Sequence, residues 1–299
     1  MIEIARVHDR AGLSLWVELT ERVTGIHVAV ELLEHEARTQ PDCLHLVATL
    51  DGEPAGTGIG KRSSVPDCLY AMARVVPERR RRGVGLALVT ALSEHARRIG
   101  LGLLIGSVEE ADEQSFAFLR RHGFDEVGRE RAVALELGGV EAPAPVGVEI
   151  ASLDDRPELA EAAWRVESEA VADVPAPEPL TAQSYERWRA DNLDGPTALP
   201  DACVVALEAG RVVGYAGLVR LDDTTAEHLL TAVLRPWRGR GIATALKQAQ
   251  IARAKEAGLT RLLTTNDETN LPMRRINERL GYKPLPGEIV VRGPTFPPA

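Results

Sequence analysis

The sequence predicts an α/β (α+β) protein made of two tandem copies of one domain. Three observations lead there. Strand-like alternation and helix-like periodicity interleave along 299 residues, too many for one small domain. The chain also repeats itself. Arg80, Gly83 and Gly85 recur as Arg238, Gly241 and Ala243, an offset of 158 residues (238 − 80). The same offset carries Leu46-Val47-Ala48 onto Val204-Val205-Ala206, Gly52 onto Gly210, Gly100-Leu101 onto Gly258-Leu259, and Gly123-Phe124 onto Gly281-Tyr282. An ungapped match of that length marks a duplicated domain, with a period far too long for a solenoid. Finally, residues 139–146 hold proline and glycine without periodicity and separate the two blocks. Domains are therefore expected at 1–138 and 147–299, joined by a linker at 139–146.

The elements follow in order. Residues 2–7 read as a strand, and helices are predicted around 13–23 and 27–36. Residues 43–50 and 55–61 alternate about Asp51-Gly52-Glu53, a hairpin signal. Residues 68–76 form the next strand and run into the glycine turn, with a helix over 86–99. A short apolar strand follows at 103–108, then a helix over 113–122 stopped by Gly123, a suitable residue to end it. Strands at 124–127 and 132–137 close the half. The second block repeats this plan but is about a dozen residues longer before its core. The extra length falls near Val174-Pro175-Ala176-Pro177-Glu178-Pro179, between helices predicted at 157–171 and 181–192. That loop reads either as substrate contact or as idle surface.

Apolar content of 44% supports real cores, and the aromatic content of 4% leaves them to Leu, Val, Ile and Ala. A net charge of −9 argues against a nucleic-acid partner, which needs a basic face. Cys43, Cys68 and Cys203 are odd in number, lack ligand spacing and sit in apolar runs, so reduced buried thiols and no metal site are expected. The start has no basic segment followed by an apolar one, and no stretch approaches the ~18 apolar residues of a membrane helix. A cytoplasmic protein without membrane contact is the expectation.

Arg238-Gly239-Arg240-Gly241-Ile242-Ala243 leads straight into an apolar-periodic helix. Glycines let backbone come close to a ligand, and the helix start offers unpaired amides and the positive end of the macrodipole. With arginines alongside, this is an anion site suited to phosphate or pyrophosphate. Arg79-Arg80-Arg81-Arg82-Gly83-Val84-Gly85 is its copy; a solvated charge run is the plainer reading there.

The motif Arg-x-x-Gly-x-Gly/Ala after the fourth strand of each block, with the helix behind it and a late helix–Gly–aromatic stop, resembles the signature of the Gcn5-related N-acetyltransferase (GNAT) family. The resemblance covers nearly the whole chain as two tandem domains. Mycothiol synthases have the same plan at similar length, although their further motifs are not evident here. The resemblance implies that each domain is a mixed, mostly antiparallel twisted sheet flanked by helices and splayed between strands 4 and 5. It implies acetyl-CoA as co-substrate, its pantetheine arm along the backbone of Thr231, Ala232 and Val233. Its pyrophosphate would lie on the amides of Gly239, Arg240, Gly241, Ile242, Ala243 and Thr244. The first block's equivalents are Ala73, Arg74, Val75 and then Arg81, Arg82, Gly83, Val84, Gly85 and Leu86.

Acetyl transfer needs the amine neutral, and a lysine-like amine with a pKa of ~10.4 is almost wholly protonated at neutral pH. Family members supply a base eleven residues before the signature; here that residue is Glu227, and in the first block Leu69. His228, on the opposite face by strand alternation, ranks second as base. The backbone N–H near Val233 would stabilise the oxyanion. The usual tyrosine acid is replaced by Leu119 and Asn277. Asn266, Asn270 and Asn277 suit a wall contacting pantetheine, with capping as the plainer role of the first two; the first block has Val108, Asp112 and Leu119 there. The second domain is therefore expected to be catalytic and the first not. The expected activity is acetyl transfer to a primary amine of a small molecule or peptide, by direct attack, in a monomer that mimics a dimer or in a homodimer. A CoA-binding sensor without turnover is the alternative.

Overall fold

The computed structural model describes all residues except 26–27, 139–147, 176–179 and 298–299. The expected linker lies outside the described residues, as does most of the proline-rich loop. The chain divides into two compact units, Met1–Arg129 with Glu288–Ala299, and Glu130–Gly287.

The first unit contains β1 (Ile2–Val7), α1 (Arg10–Thr24), α2 (Val30–Thr39), β2 (Leu44–Leu50), β3 (Glu53–Arg62), β4 (Cys68–Val75), α3 (Val84–Arg98), β5 (Leu103–Glu109) and α4 (Glu113–Arg121). Strand β6 (Asp125–Glu136) follows. The second unit contains β7 (Glu149–Ser152), α5 (Ala160–Val171), α6 (Tyr185–Asn192), β8 (Val204–Glu208), β9 (Arg211–Arg220), β10 (Thr225–Val233), α7 (Ile242–Glu256), β11 (Arg261–Asp267), α8 (Leu271–Arg279) and β12 (Lys283–Pro284). Last comes β13 (Glu288–Pro294).

Within the first unit β1 to β4 pair antiparallel in sequence order, β4 pairs parallel with β5, and β5 pairs antiparallel with β13. In the second unit β7 to β10 do the same, β10 pairs parallel with β11, and β11 pairs antiparallel with β6. The mostly antiparallel sheet with one parallel step is as expected. The two compact units meet along the chain at Arg129/Glu130 and again at Gly287/Glu288. Residues 130–136 serve the second unit and residues 288–296 the first. The polar run Gly128-Arg129-Glu130-Arg131, which breaks the apolar pattern, does not end the strand. Arg129 pairs with Glu110 and Glu126, and Arg131 with Glu268, so β6 continues unbroken.

Residues 288–296 are bound firmly into the first unit. Seven register pairs join β13 to β5. Phe296 is buried in the core with Phe124 and Leu92, its amide donates to Ser93 Oγ at 2.9 Å, and Arg97 donates to its carbonyl. Each sheet has helices on both faces. In the first unit α3 covers one face (Leu88, Leu92, Ala96) and α1 the other (Leu13, Trp16, Leu19). In the second unit α7 covers one face, and α5 with α6 the other (Ala163, Val166, Trp188).

Candidate active site

In the second unit β10 pairs with β11 at only three positions, Thr225↔Arg261, Ala226↔Leu262 and Glu227↔Leu263. Then the strands part. β11 goes on with β6 to Asp267, and β10 goes on with β9 to Val233. A V opens past Glu227, and among the described residues the β10 edge beyond it has no strand partner on that side. In the first unit the parallel pairing likewise stops at Tyr70↔Ile105.

The two openings differ. Between His228 and Thr231 the β9–β10 register shifts by a β-bulge. The β3–β4 ladder runs without a shift from Gly56↔Val75 to Arg62↔Leu69. Bulges re-aim side chains and concentrate next to functional sites. This one also corrects the alignment of the repeats. Glu227 pairs with Val219 and Leu263; Tyr70 pairs with Lys61 and Ile105. Both pairs of partners stand 158 apart (219 − 61 and 263 − 105), so the counterpart of Glu227 is Tyr70, not Leu69. The connection before β10 is one residue shorter than the one before β4, and the bulge is one residue longer, so the ungapped sequence match conceals both changes.

Strand alternation decides which backbone groups face the gap. Leu234 donates its amide to Val213, so Leu234 and Ala232 bond inward to β9, and Thr231 and Val233 turn their amides outward. Ala232 is thereby withdrawn as a backbone contact. Val76 donates to Ala55 in the same way, so Ala73 and Val75 face the first gap and Arg74 does not. The first gap is also narrower. A Cβ on Gly106 would lie 2.4 Å from the Ala71 carbonyl oxygen, so β5 runs close against β4. The second unit has Thr264 at that place, a side chain for which its strands leave room.

Past β10 the chain makes a 3₁₀ turn (Arg235–Trp237) and reaches Gly239 and Gly241 at φ +76° and +81°. Only glycine takes that conformation without strain. Gly241 caps α7 and has no side chain to offer, so the first-turn amides of Ile242, Ala243 and Thr244 are open to an outside acceptor. Gly83 caps α3 in the same way at φ +87°, with Val84, Gly85 and the exposed Leu86 in its first turn. Arg81 takes φ +62° where the second unit has Gly239.

The signature arginines bond to groups of their own unit. Arg238 Nε donates to Val233 O at 2.8 Å and its Nη2 to Asp173 at 2.7 Å. Arg80 Nε donates to Val75 O at 3.1 Å. Each ties its turn back onto its strand. Arg235 and Arg238 hold the Asp173 carboxyl well below the usual carboxylate range. Arg240 lies 4.6 Å above the Trp237 ring, and Arg82 pairs with Asp51. The first-turn amides of α7, by contrast, have no side-chain cap.

Asn270 caps α8, its Oδ1 accepting from Met273 N at 3.3 Å, so the plainer of its two expected roles accounts for it. Asn277 donates Nδ2 to Asn266 Oδ1 at 2.8 Å. Its own Oδ1 is buried and, among the described residues, has no hydrogen-bond partner, an arrangement that costs roughly 1–3 kcal/mol unless a ligand donor meets it.

His228 is not available as a base. It is buried against α7, with Nδ1 2.9 Å from Gln250 Oε1 and Nε2 2.5 Å from the Tyr282 hydroxyl. Gln250 Nε2 donates to Ala202 O, which leaves Oε1 as acceptor and fixes His228 as the Nδ1–H tautomer. Burial pushes its pKa well below the usual imidazole value, so the ring is neutral. Lys247 lies behind it, fully buried, 5.4 Å over the Tyr282 ring, its pKa pulled down to about 7 by burial. Glu227, half-buried, alternates to the opposite face, toward α5 and α6.

That face holds a second group the sequence did not disclose. Glu167 on α5 accepts from Trp188 Nε1 at 2.9 Å, and burial raises its pKa to about 7. It was missed because a single glutamate on an amphipathic helix reads as solvated. Its position under Trp188 is set by how α5 and α6 pack. In the first unit Glu36, Cys43 and His45 bring ligand atoms within 4.8 Å of one another, but the Lys61 ammonium stands 3.3 Å from Glu36 and supplies the positive charge there. Among the described residues no helix is long and apolar enough to cross a membrane.

The acetyltransferase (GNAT) family model matches residues 13–124 and again 159–282. A mycothiol acetyltransferase of Thermomonospora curvata is 28% identical over 256 residues, 83% of this chain and 82% of that protein. A GCN5-related N-acetyltransferase of Sphaerobacter thermophilus superposes with a TM-score of 0.76 at 20% identity, covering 100% of this chain and 97% of that one. A tandem GNAT protein of the clavulanic acid biosynthesis pathway does so with a TM-score of 0.76 at 18% identity and 99% of both chains.

Proposed function

Because the chain belongs to the acetyltransferase (GNAT) family, with one family domain in each half, we propose that its second unit moves the acetyl group of acetyl-CoA to a primary amine of a small molecule or peptide. The observation that carries the assignment is Glu227, a half-buried carboxylate at the last parallel pair before the V opens. No carboxylate stands at the counterpart Tyr70.

The surroundings fit the co-substrate. The uncapped amides of Ile242, Ala243 and Thr244 suit a diphosphate, and the outward backbone of Thr231 and Val233 suits an amide-bearing arm. The orphaned Oδ1 of Asn277 awaits a donor. Acetyl-CoA supplies the activated acyl group. Glu227 removes one proton from the acceptor's ammonium, the neutral amine so freed attacks the thioester carbonyl, and the N–H of Val233 faces the developing oxyanion. Collapse of the tetrahedral intermediate breaks the C–S bond, and the leaving thiolate takes up the second proton from nitrogen. The departing thiolate, with a pKa near ~8.5 by analogy with cysteine, needs little help to leave. In the first unit the narrower gap and the missing carboxylate argue against turnover. A CoA-release assay over a panel of amines tests the proposal: thioester loss should accelerate with an amine present and stay at the buffer rate with none.

A further inference from the structure

The α5/α6 face of the second unit concentrates the chain's scarce aromatic rings. Tryptophan and tyrosine together number eight in the whole chain, and four of them line this one face. Trp164 and Tyr185 lie 5.8 Å apart, Tyr185 and Trp188 stack at 6.2 Å, and Trp188 meets Tyr215 edge-on at 5.4 Å. Trp188 and Tyr215 are buried, while Trp164 and Tyr185 are half-exposed. Into this set projects Glu167, whose hydrogen-bond partner is an indole N–H and which, among the described residues, has no cation paired with it. Asn192 and the Tyr215 hydroxyl complete the polar side at 3.4 Å from each other.

A carboxylate held in an aromatic wall is a recognition element for an organic cation, which gains from both the charge and the ring faces. Glu227 lies on the same face. Tyr215, Gly217 and Val219 alternate along β9, and Val219 is the partner of Glu227. The Tyr215 hydroxyl reaches back over Gly217, 2.6 Å from where a Cβ would stand. Two residues of strand, about 7 Å, then separate that position from the Glu227 pair.

We propose that the acceptor carries a second ammonium group, read by Glu167 and the Trp164–Tyr185–Trp188 wall, several bonds away from the amine presented to Glu227. The acceptor class is then a diamine or a diamino sugar. The inference rests on the acetyl-transfer reading for which amine reacts, but not for whether the second cation binds. Glu167, with a pKa of about 7, would bind such a cation more tightly as pH rises through neutrality. The titratable groups facing it are Tyr215 and Cys203, both held neutral by burial.

The test is calorimetric titration of the full chain with 1,4-diaminobutane and with butylamine, in the presence of CoA, for the wild type, Glu167→Gln and Trp188→Phe, followed by acetylation kinetics. The diamine should bind at least tenfold more tightly than the monoamine. Glu167→Gln should abolish that preference, mainly through KM, and Trp188→Phe should weaken it. Equal affinity of the wild type for both amines, or a preference that survives in a folded Glu167→Gln protein, overturns the inference. Selective diamine binding without acetylation would support it and refute the acetyl-transfer reading instead.

Discussion

Glu227 and Tyr70 occupy the same place in the two sheets, each the last residue of its strand to pair in parallel before the strands part. One is a carboxylate facing a bulged strand edge, the other a phenol on an unbulged one. Glu227→Gln should lower kcat by roughly 10²–10⁴ and leave the dissociation constant of CoA within about twofold. Raising the pH should restore part of the rate, because the amine then loses its proton to solvent. Steady-state kinetics from neutral to alkaline pH with one amine check this, and an unchanged kcat removes Glu227 from the mechanism.

The two cradles share their backbone geometry, yet only the second opens onto a gap wide enough for a side chain at Thr264. Titration with CoA should give one site per chain. Gly241→Val, which forces a β-branched residue to φ +81°, should abolish that site, whereas Gly83→Val should leave it. Two sites of equal affinity would mean that the first unit also binds.

Lys247 is buried, among the described residues without a carboxylate partner, and its pKa falls from 10.5 to about 7 on folding. Between those values the unfolded chain holds a proton that the folded one lacks, so stability rises with pH across about 7 to 10.5. Lys247→Met should raise stability at pH 7 by about 1–3 kcal/mol and flatten that slope. Thermal melts at several pH values read it directly. The counterpart Val89 shows that the fold accepts an apolar residue there.

Phe296 joins the core of the first unit although it stands at the far end of the chain. Phe296→Ala should cost about 3–5 kcal/mol and lower the melting transition of the first unit, followed by hydrogen exchange in β5. Exchange that slackens in β11 rather than in β5 would contradict the assignment of β13 to the first sheet.

Much of this was legible because the duplication repeats its own signals. Gly83 and Gly241 mark both helix starts, and the apolar strands fall where alternation places them. Three features were not legible. The bulge after His228 and the short connection before Thr225 cancel in length, so residue counting pairs Glu227 with Leu69. The polar run around Arg129 looks like a strand end because its ion partners Glu110 and Glu268 lie remote in sequence. The bond from Arg238 to the Val233 carbonyl cannot be read from the motif, which fixes the spacing of the arginine and not its partner.

Because β13 closes the sheet that β1 begins, the first unit is finished last. While the chain is being synthesised, β5 waits with a bare edge until everything from β6 to β12 has left the ribosome. The second unit has all of its strands by residue 284 and can fold first. A chain interrupted before residue 288 would therefore carry one unit with all its strands and one with a bare, aggregation-prone strand edge.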